Sequence, residues 1–125
     1  SLQTYAIWDG NGSDTLSSVG VNTNVRLDIR EGRDYYSDVG NSAVWVAFGA
    51  NIENAIAGGG NDTIHGNDFD NQLTGGNGND TLYGYAGTDT AVYLDAFSNY
   101  TINVTNSTTF TITDANTGNG NEGLD

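Results

Sequence analysis

Along residues 57–92 the apolar positions do not cluster as they would on one face of a helix. Ile64, Leu73, Leu82 and Ala91 come singly, nine residues apart, and the first three sit inside the triplets T-I-H, Q-L-T and T-L-Y. A polar, apolar, polar triplet predicts a very short strand with one inward side chain. Such a unit cannot bury its apolar face alone, so the spacing predicts copies stacked on one another. The rest of the chain also reads as β-structure. "NVRLDI" from Asn24 alternates sides and "AVWVAF" from Ala43 is a mostly apolar run, while "YTINVT" and "TFTITD" from Tyr100 and Thr109 flank a turn at Asn106 and Ser107. No helix-period pattern of useful length occurs.

Between the triplets the chain is rich in glycine and aspartate. Laid out in nines it reads A-G-G-G-N-D-T-I-H from Ala57, G-N-D-F-D-N-Q-L-T from Gly66, G-G-N-G-N-D-T-L-Y from Gly75 and G-Y-A-G-T-D-T-A-V from Gly84. The template is G-G-x-G-x-D-x-U-x with U apolar. The third copy fits fully, the fourth has Tyr85 for a glycine, and the second carries Asn71 where the others place Asp62, Asp80 and Asp89. Glycines such as Gly58, Gly60, Gly76, Gly78 and Gly87 allow a tight turn whose carbonyls point inward together. If strands alternate between two sheets, turns on one edge come from alternate repeats, which puts Asp62 over Asp80 and Asn71 over Asp89. Two carboxylates roughly 5 Å apart repel by about 3 kcal/mol at an effective dielectric of about 20. Oxygen ligands of this kind, with no Cys and a single His, suit a hard, many-coordinate cation. The repeat therefore predicts calcium, two ions or more, with Asn67 and Asn71 of the degenerate copy among the candidate ligands.

Charge sharpens this reading. The 125 residues carry 16 acidic and three basic side chains, a formal net charge of -13, which disfavours nucleic acid and anionic membranes as partners. With no cysteine available for disulfides, bound metal is the available staple. No apolar run is long enough to cross a bilayer, and Ser1 to Trp8 lacks the basic start and apolar stretch of a signal peptide.

The nonapeptides resemble RTX calcium-binding repeats. The stretch "YAIWDGNGSDTL" through "VAFGANIENAIAGGGNDTIHGND" is similar to the C-terminal domain of serralysin-type secreted bacterial metalloproteases. The resemblance implies an all-β fold: a right-handed parallel β-roll over residues 57–92, preceded by an N-terminal β-segment over 1–56 and followed by an antiparallel β-hairpin cap over 93–125, incomplete where the chain stops at "NEGLD". It also implies extracellular localisation, type I secretion and a covalently linked catalytic domain. By motif matching, Asp9, Asn11, Gly12 and Asp14 resemble part of a further calcium site, and Asn51 and Glu53 match the family ligands just before the roll.

The chain itself offers no catalytic constellation. A lone His65 cannot assemble an H-E-x-x-H zinc site, there is no Cys nucleophile, and the acidic spacing is explained by calcium. The expected role is a non-catalytic module that folds on extracellular calcium and serves the stability and secretion of a larger secreted hydrolase. The alternative is a carbohydrate-binding accessory module of a polysaccharide-active enzyme. Arg26, Arg30 and Arg33 beside Tyr35 and Tyr36 form the candidate ligand patch, although pairing of the arginines with nearby acids is the simpler expectation. His65, last in its repeat, is expected at the solvated surface, and Trp8 and Trp45 in the core.

Overall fold

Successive strands alternate between two sheets, as one inward side chain per triplet requires. The computed structural model describes residues 3–7, 11–32, 34–40, 42–93, 100–103 and 109–114. No helix occurs among them, and twelve strands do: β1 (Gln3–Ile7), β2 (Thr15–Ser17), β3 (Arg26–Asp28), β4 (Tyr36–Asp38), β5 (Ser42–Val46), β6 (Asn54–Ile56), β7 (Thr63–His65), β8 (Gln72–Thr74), β9 (Asp80–Tyr83), β10 (Thr88–Tyr93), β11 (Tyr100–Asn103) and β12 (Thr109–Asp114). One sheet runs β1-β5-β4-β3-β7-β9-β11 and the other β12-β10-β8-β6-β2. All pairings are parallel except those of β4, whose excursion with β5 is antiparallel.

The single apolar residue of each triplet stacks on its counterpart one rung away. Leu16, Ala55, Leu73 and Ala91 are successive register partners in the second sheet. Leu27, Ile64 and Leu82 are successive partners in the first. Ile64, Leu73 and Leu82 are completely buried, with Val25, Ile29, Val46 and Ile52 in the same cluster. Trp45 packs against that cluster, as expected, while Trp8 lies outside the described residues. Each fully buried Leu or Ile contributes about 1.5–3 kcal/mol, so the core is a stack of small increments.

The stack extends beyond the recognisable repeats. Val21 to Asp28 winds as one more turn and strand, because the Gly59 amide donates to the Val21 carbonyl, the Asn61 amide to Asn24 Oδ1 and the Val25 amide to Asp62 Oδ1. Asn24, Val25 and Leu27 thus occupy the places of Asn61, Asp62 and Ile64. A repeat without the template glycines or its aspartate is invisible to a motif reading.

The C-terminal hairpin expected from the resemblance is not formed. β11 pairs in parallel with β9 in the first sheet, and β12 pairs in parallel with β10 in the second. A hairpin would satisfy β11 and β12 with each other and leave the exit edges of β9 and β10 open. Continuing the alternation covers both. The turn expected at Asn106 and Ser107 lies outside the described residues.

The turns stack as closely as the strands. At Gly78 (φ 111°) an added Cβ would lie 1.8 Å from the Gly60 carbonyl oxygen, whereas at Gly49 (φ 88°) it would meet nothing within 4 Å. Gly49→Ala should therefore cost only the left-handed backbone penalty, about 1–2 kcal/mol. Gly78→Ala should cost about 3 kcal/mol or more, because overpacking adds to that penalty. Denaturant unfolding of the two variants in calcium checks the difference.

Candidate metal centre

The two edges of the winding carry two columns of acidic residues. On the first edge Asp80 Oδ1 accepts the Asp62 amide at 2.9 Å, and Asp62 Oδ1 accepts the Val25 amide at 2.8 Å. On the second edge Asp89 Oδ1 accepts the Asn71 amide at 2.9 Å, and Glu53 Oε2 accepts the Asp14 amide at 2.9 Å. The Asp14 carbonyl in turn accepts the Glu53 and Asn54 amides. Each acid thus reaches back one rung, and the 18-residue stagger read from the repeats is the observed one.

On the first edge Asp62 and Asp80 are each 1% exposed. Their Oδ1 atoms are bonded, yet the Oδ2 atom of each is buried without a hydrogen-bond partner. Burial holds the Asp80 carboxyl up at about 6, with the neighbouring Asp62 charge pushing the same way and the Asp62 amide opposing. Burial likewise raises Asp62, against the Val25 and Gly58 amides. Two buried acidic oxygens without donors fit a hard cation, which satisfies them and cancels the repulsion. Among the described residues no three His, Cys, Asp or Glu side chains converge on one point. A cation here would be held by a carboxylate pair and the turn backbone of Gly58, Gly60, Gly76 and Gly78.

The second edge is built differently. Asn67 Nδ2 donates to the Ile29 and Ile52 carbonyls, while its Oδ1 accepts the Phe69 amide and Asn71 Nδ2. Asn71 Oδ1 accepts the Asn67 amide, and Asn71 Nδ2 also reaches the Glu53 carbonyl. The degenerate repeat thus ties itself together with amide side chains. Asn11 and Gly12 are exposed in the turn before Asp14, and Asp9 lies outside the described residues. Asn51 is exposed and lines a neighbouring cleft that also includes Phe69, Gly87's rung partner.

Arg26 and Arg30 are engaged with one acid. Fully buried Asp28 takes Arg30 through both carboxylate oxygens, at 2.9 and 2.6 Å, and Arg26 at 3.0 Å. Arg26 lies 5.5 Å from the Tyr36 ring centre and Arg30 4.1 Å from that of Tyr35, while Arg33 is outside the described residues. His65 is not the solvated residue expected. It stacks on Tyr83 at 4.6 Å, nearly parallel, and bonds Tyr85 Oη through Nδ1 at 2.7 Å, and burial lowers its pKa to about 4. His65 and Tyr83 are the ninth residues of repeats one and three, so the stagger that stacks the aspartates stacks these rings too. Missed in the sequence was the Asn24, Asn61 and Asn79 column, in which each side-chain oxygen accepts the next Asn amide. Its signal was the Asn that precedes Asp in repeats one and three.

Fold and site define a repeat-built β-module whose stacked turns bury a column of carboxylates. The chain belongs to the serralysin C-terminal family of peptidase M10, whose model it matches over residues 2–124. It is 45% identical over 71 residues to serralysin of Proteus mirabilis, and 46% identical over 71 residues to serralysin G of Dickeya chrysanthemi. To metallopeptidase AprA of Pseudomonas marginalis it is 44% identical over 71 residues. Each alignment covers 55% of this chain but 14% of the relative, so the matched stretch is a small part of those proteins.

Two outcomes follow from the first edge. Asp80→Asn keeps the oxygen that accepts the Asp62 amide and removes the charge. It should leave the calcium-free chain at least as stable as the parent while raising the calcium midpoint about tenfold, a loss near 1.4 kcal/mol, measurable by a calcium titration followed by circular dichroism. The second outcome concerns the calcium-free chain. A carboxyl whose pKa is raised by folding binds its proton more tightly in the folded state, so this contribution is present below the unfolded value and is lost as pH rises through about 6. The calcium-free β-signal should therefore strengthen on acidification from neutrality toward about pH 5, and circular dichroism in EGTA across that range checks it.

Proposed function

We propose that this module folds on calcium and serves a larger secreted protein of the serralysin type as its non-catalytic calcium-dependent part. The observation that carries the reading is the pair of buried, unbonded carboxylate oxygens of Asp62 and Asp80. In water at low calcium the column repels itself and the turns have little reason to stack. At the millimolar calcium found outside cells, cation binding offsets the repulsion and is coupled to folding. Asp62 and Asp80 with the turn backbone of Gly58, Gly60, Gly76 and Gly78 hold the first ion. Asp14 and Glu53, neighbours on the second edge, hold another.

The net charge of -13 supports the same direction of switching, since a chain that repels itself stays extended until cations arrive. Such a chain suits export in an unfolded state through a type I route, with folding deferred until it meets extracellular calcium. Family membership supports a covalently linked catalytic domain elsewhere in the parent protein.

Far-UV circular dichroism of the chain, titrated with calcium from EGTA and with magnesium as control, tests this. A cooperative coil-to-β transition at submillimolar to millimolar calcium, absent with magnesium, is expected. A chain equally folded in EGTA would sink the switch.

A further inference from the structure

Beside the second edge, away from the Asp62–Asp80 pair, lies a cleft of about 530 Å³, within the range of small-ligand sites. We propose that it binds a neutral saccharide, whose sugar faces lie on the rings of Phe48, Phe69 and Tyr35 and whose hydroxyls bond Asn51 and Asp68. Five large apolar side chains are left exposed among the described residues, and three of them, Phe48 (71%), Phe69 (50%) and Tyr35 (41%), line this one cleft. They come from three separate stretches of chain, so no single turn explains their meeting. A sugar presents an apolar C–H face and a rim of hydroxyls, and rings bordered by amide and carboxylate groups match both.

Tyr85, which also lines the cleft, is the second observation. It is the one non-glycine residue with positive φ among the described residues (66°), at the place the repeat template gives to glycine. A ring held in a conformation that glycine would adopt freely points to a use for the ring. Tyr85 packs under the Arg30 guanidinium, 5.0 Å from its ring centre, and is tied to His65. It thereby fixes the floor on which Tyr35 and Arg30 rest.

Charge selects the ligand. Arg30 is neutralised by both oxygens of Asp28 and already occupies the faces of Tyr35 and Tyr85. Glu31 and Asp68 add negative charge to the lining. An anionic sugar would face net repulsion from Glu31 and Asp68. Arg30 takes one face of Tyr35, which leaves the exposed Phe48 and Phe69 rings as the main platform for a neutral sugar.

The test is an NMR titration of the isotope-labelled chain with cellohexaose and maltohexaose, against hexagalacturonate as the anionic comparator, in calcium and again in EGTA. Millimolar or tighter binding of a neutral oligomer is expected, with shifts at the cleft residues. Phe48→Ala and Phe69→Ala, both at exposed rings, should each weaken it about tenfold. Tyr85→Gly should abolish it while leaving the calcium midpoint of folding unchanged or improved, which a merely structural tyrosine would not do. No cleft shifts with either neutral oligomer in either buffer, preference for hexagalacturonate, or unaltered binding by the two phenylalanine variants would overturn the proposal. Circular dichroism of the same samples reports the calcium switch separately, so either idea can fail without the other.

Discussion

A carboxylate that accepts the backbone amide of the rung before it sets the winding of this molecule. Asp80 does so to Asp62, Asp62 to Val25, Asp89 to Asn71 and Glu53 to Asp14. Three-residue strands supply few ladder bonds of their own, and a single apolar residue per strand supplies little burial. Registration of one rung on the next therefore depends on the turns. The side chain that fixes the register is also charged and buried, so the same contact that aligns the stack makes it electrostatically costly. Register and electrostatic cost come from one set of atoms.

That cost is unevenly distributed. On the first edge the carboxylates follow one another at consecutive rungs and each keeps an unbonded buried oxygen. On the second edge Asn71 interrupts the acids and, with Asn67, turns its amide groups onto backbone carbonyls. An amide can both donate and accept, so it closes its own hydrogen bonds where a carboxylate cannot. On the proposed reading, the first edge answers to calcium more sharply, and the second keeps a share of its order through neutral bonds.

Much of this was legible because the repeat is literal. The nine-residue recurrence of Ile64, Leu73, Leu82 and Ala91 fixed the strands and the 18-residue stagger fixed which aspartates meet. Two features were illegible for opposite reasons. The rung at Asn24 to Asp28 has kept only the Asn and the inward Leu of the template, and neighbouring turns impose the rest of its conformation through Gly59, Asn61 and Asp62. The C-terminal strands looked like a hairpin because their spacing allows a local turn, yet the open edges of β9 and β10 were the stronger partners. Local sequence reports turn propensity; it does not report which edge lies waiting.

The cleft follows from the same stagger rather than from a separate design. Position nine of repeats one and three stacks His65 on Tyr83, and the next residue but one along the chain is Tyr85, whose hydroxyl bonds the same imidazole. A glycine at residue 85 would relieve a backbone strain of about 1–3 kcal/mol. It would also remove the ring on which Arg30 rests. The excursion through β4 and β5 then brings Tyr35 and Phe48 against the two successive rungs that carry Phe69 and Tyr85. The N-terminal segment thus does two things at once: β2 and β3 extend the stack, and the chain between them and β6 roofs one edge with aromatic residues. A roll made only of template repeats would have glycine at these turn positions and a bare edge. Departures from the template, at Tyr85, Phe69 and Asn67, are where this chain acquires a surface of its own.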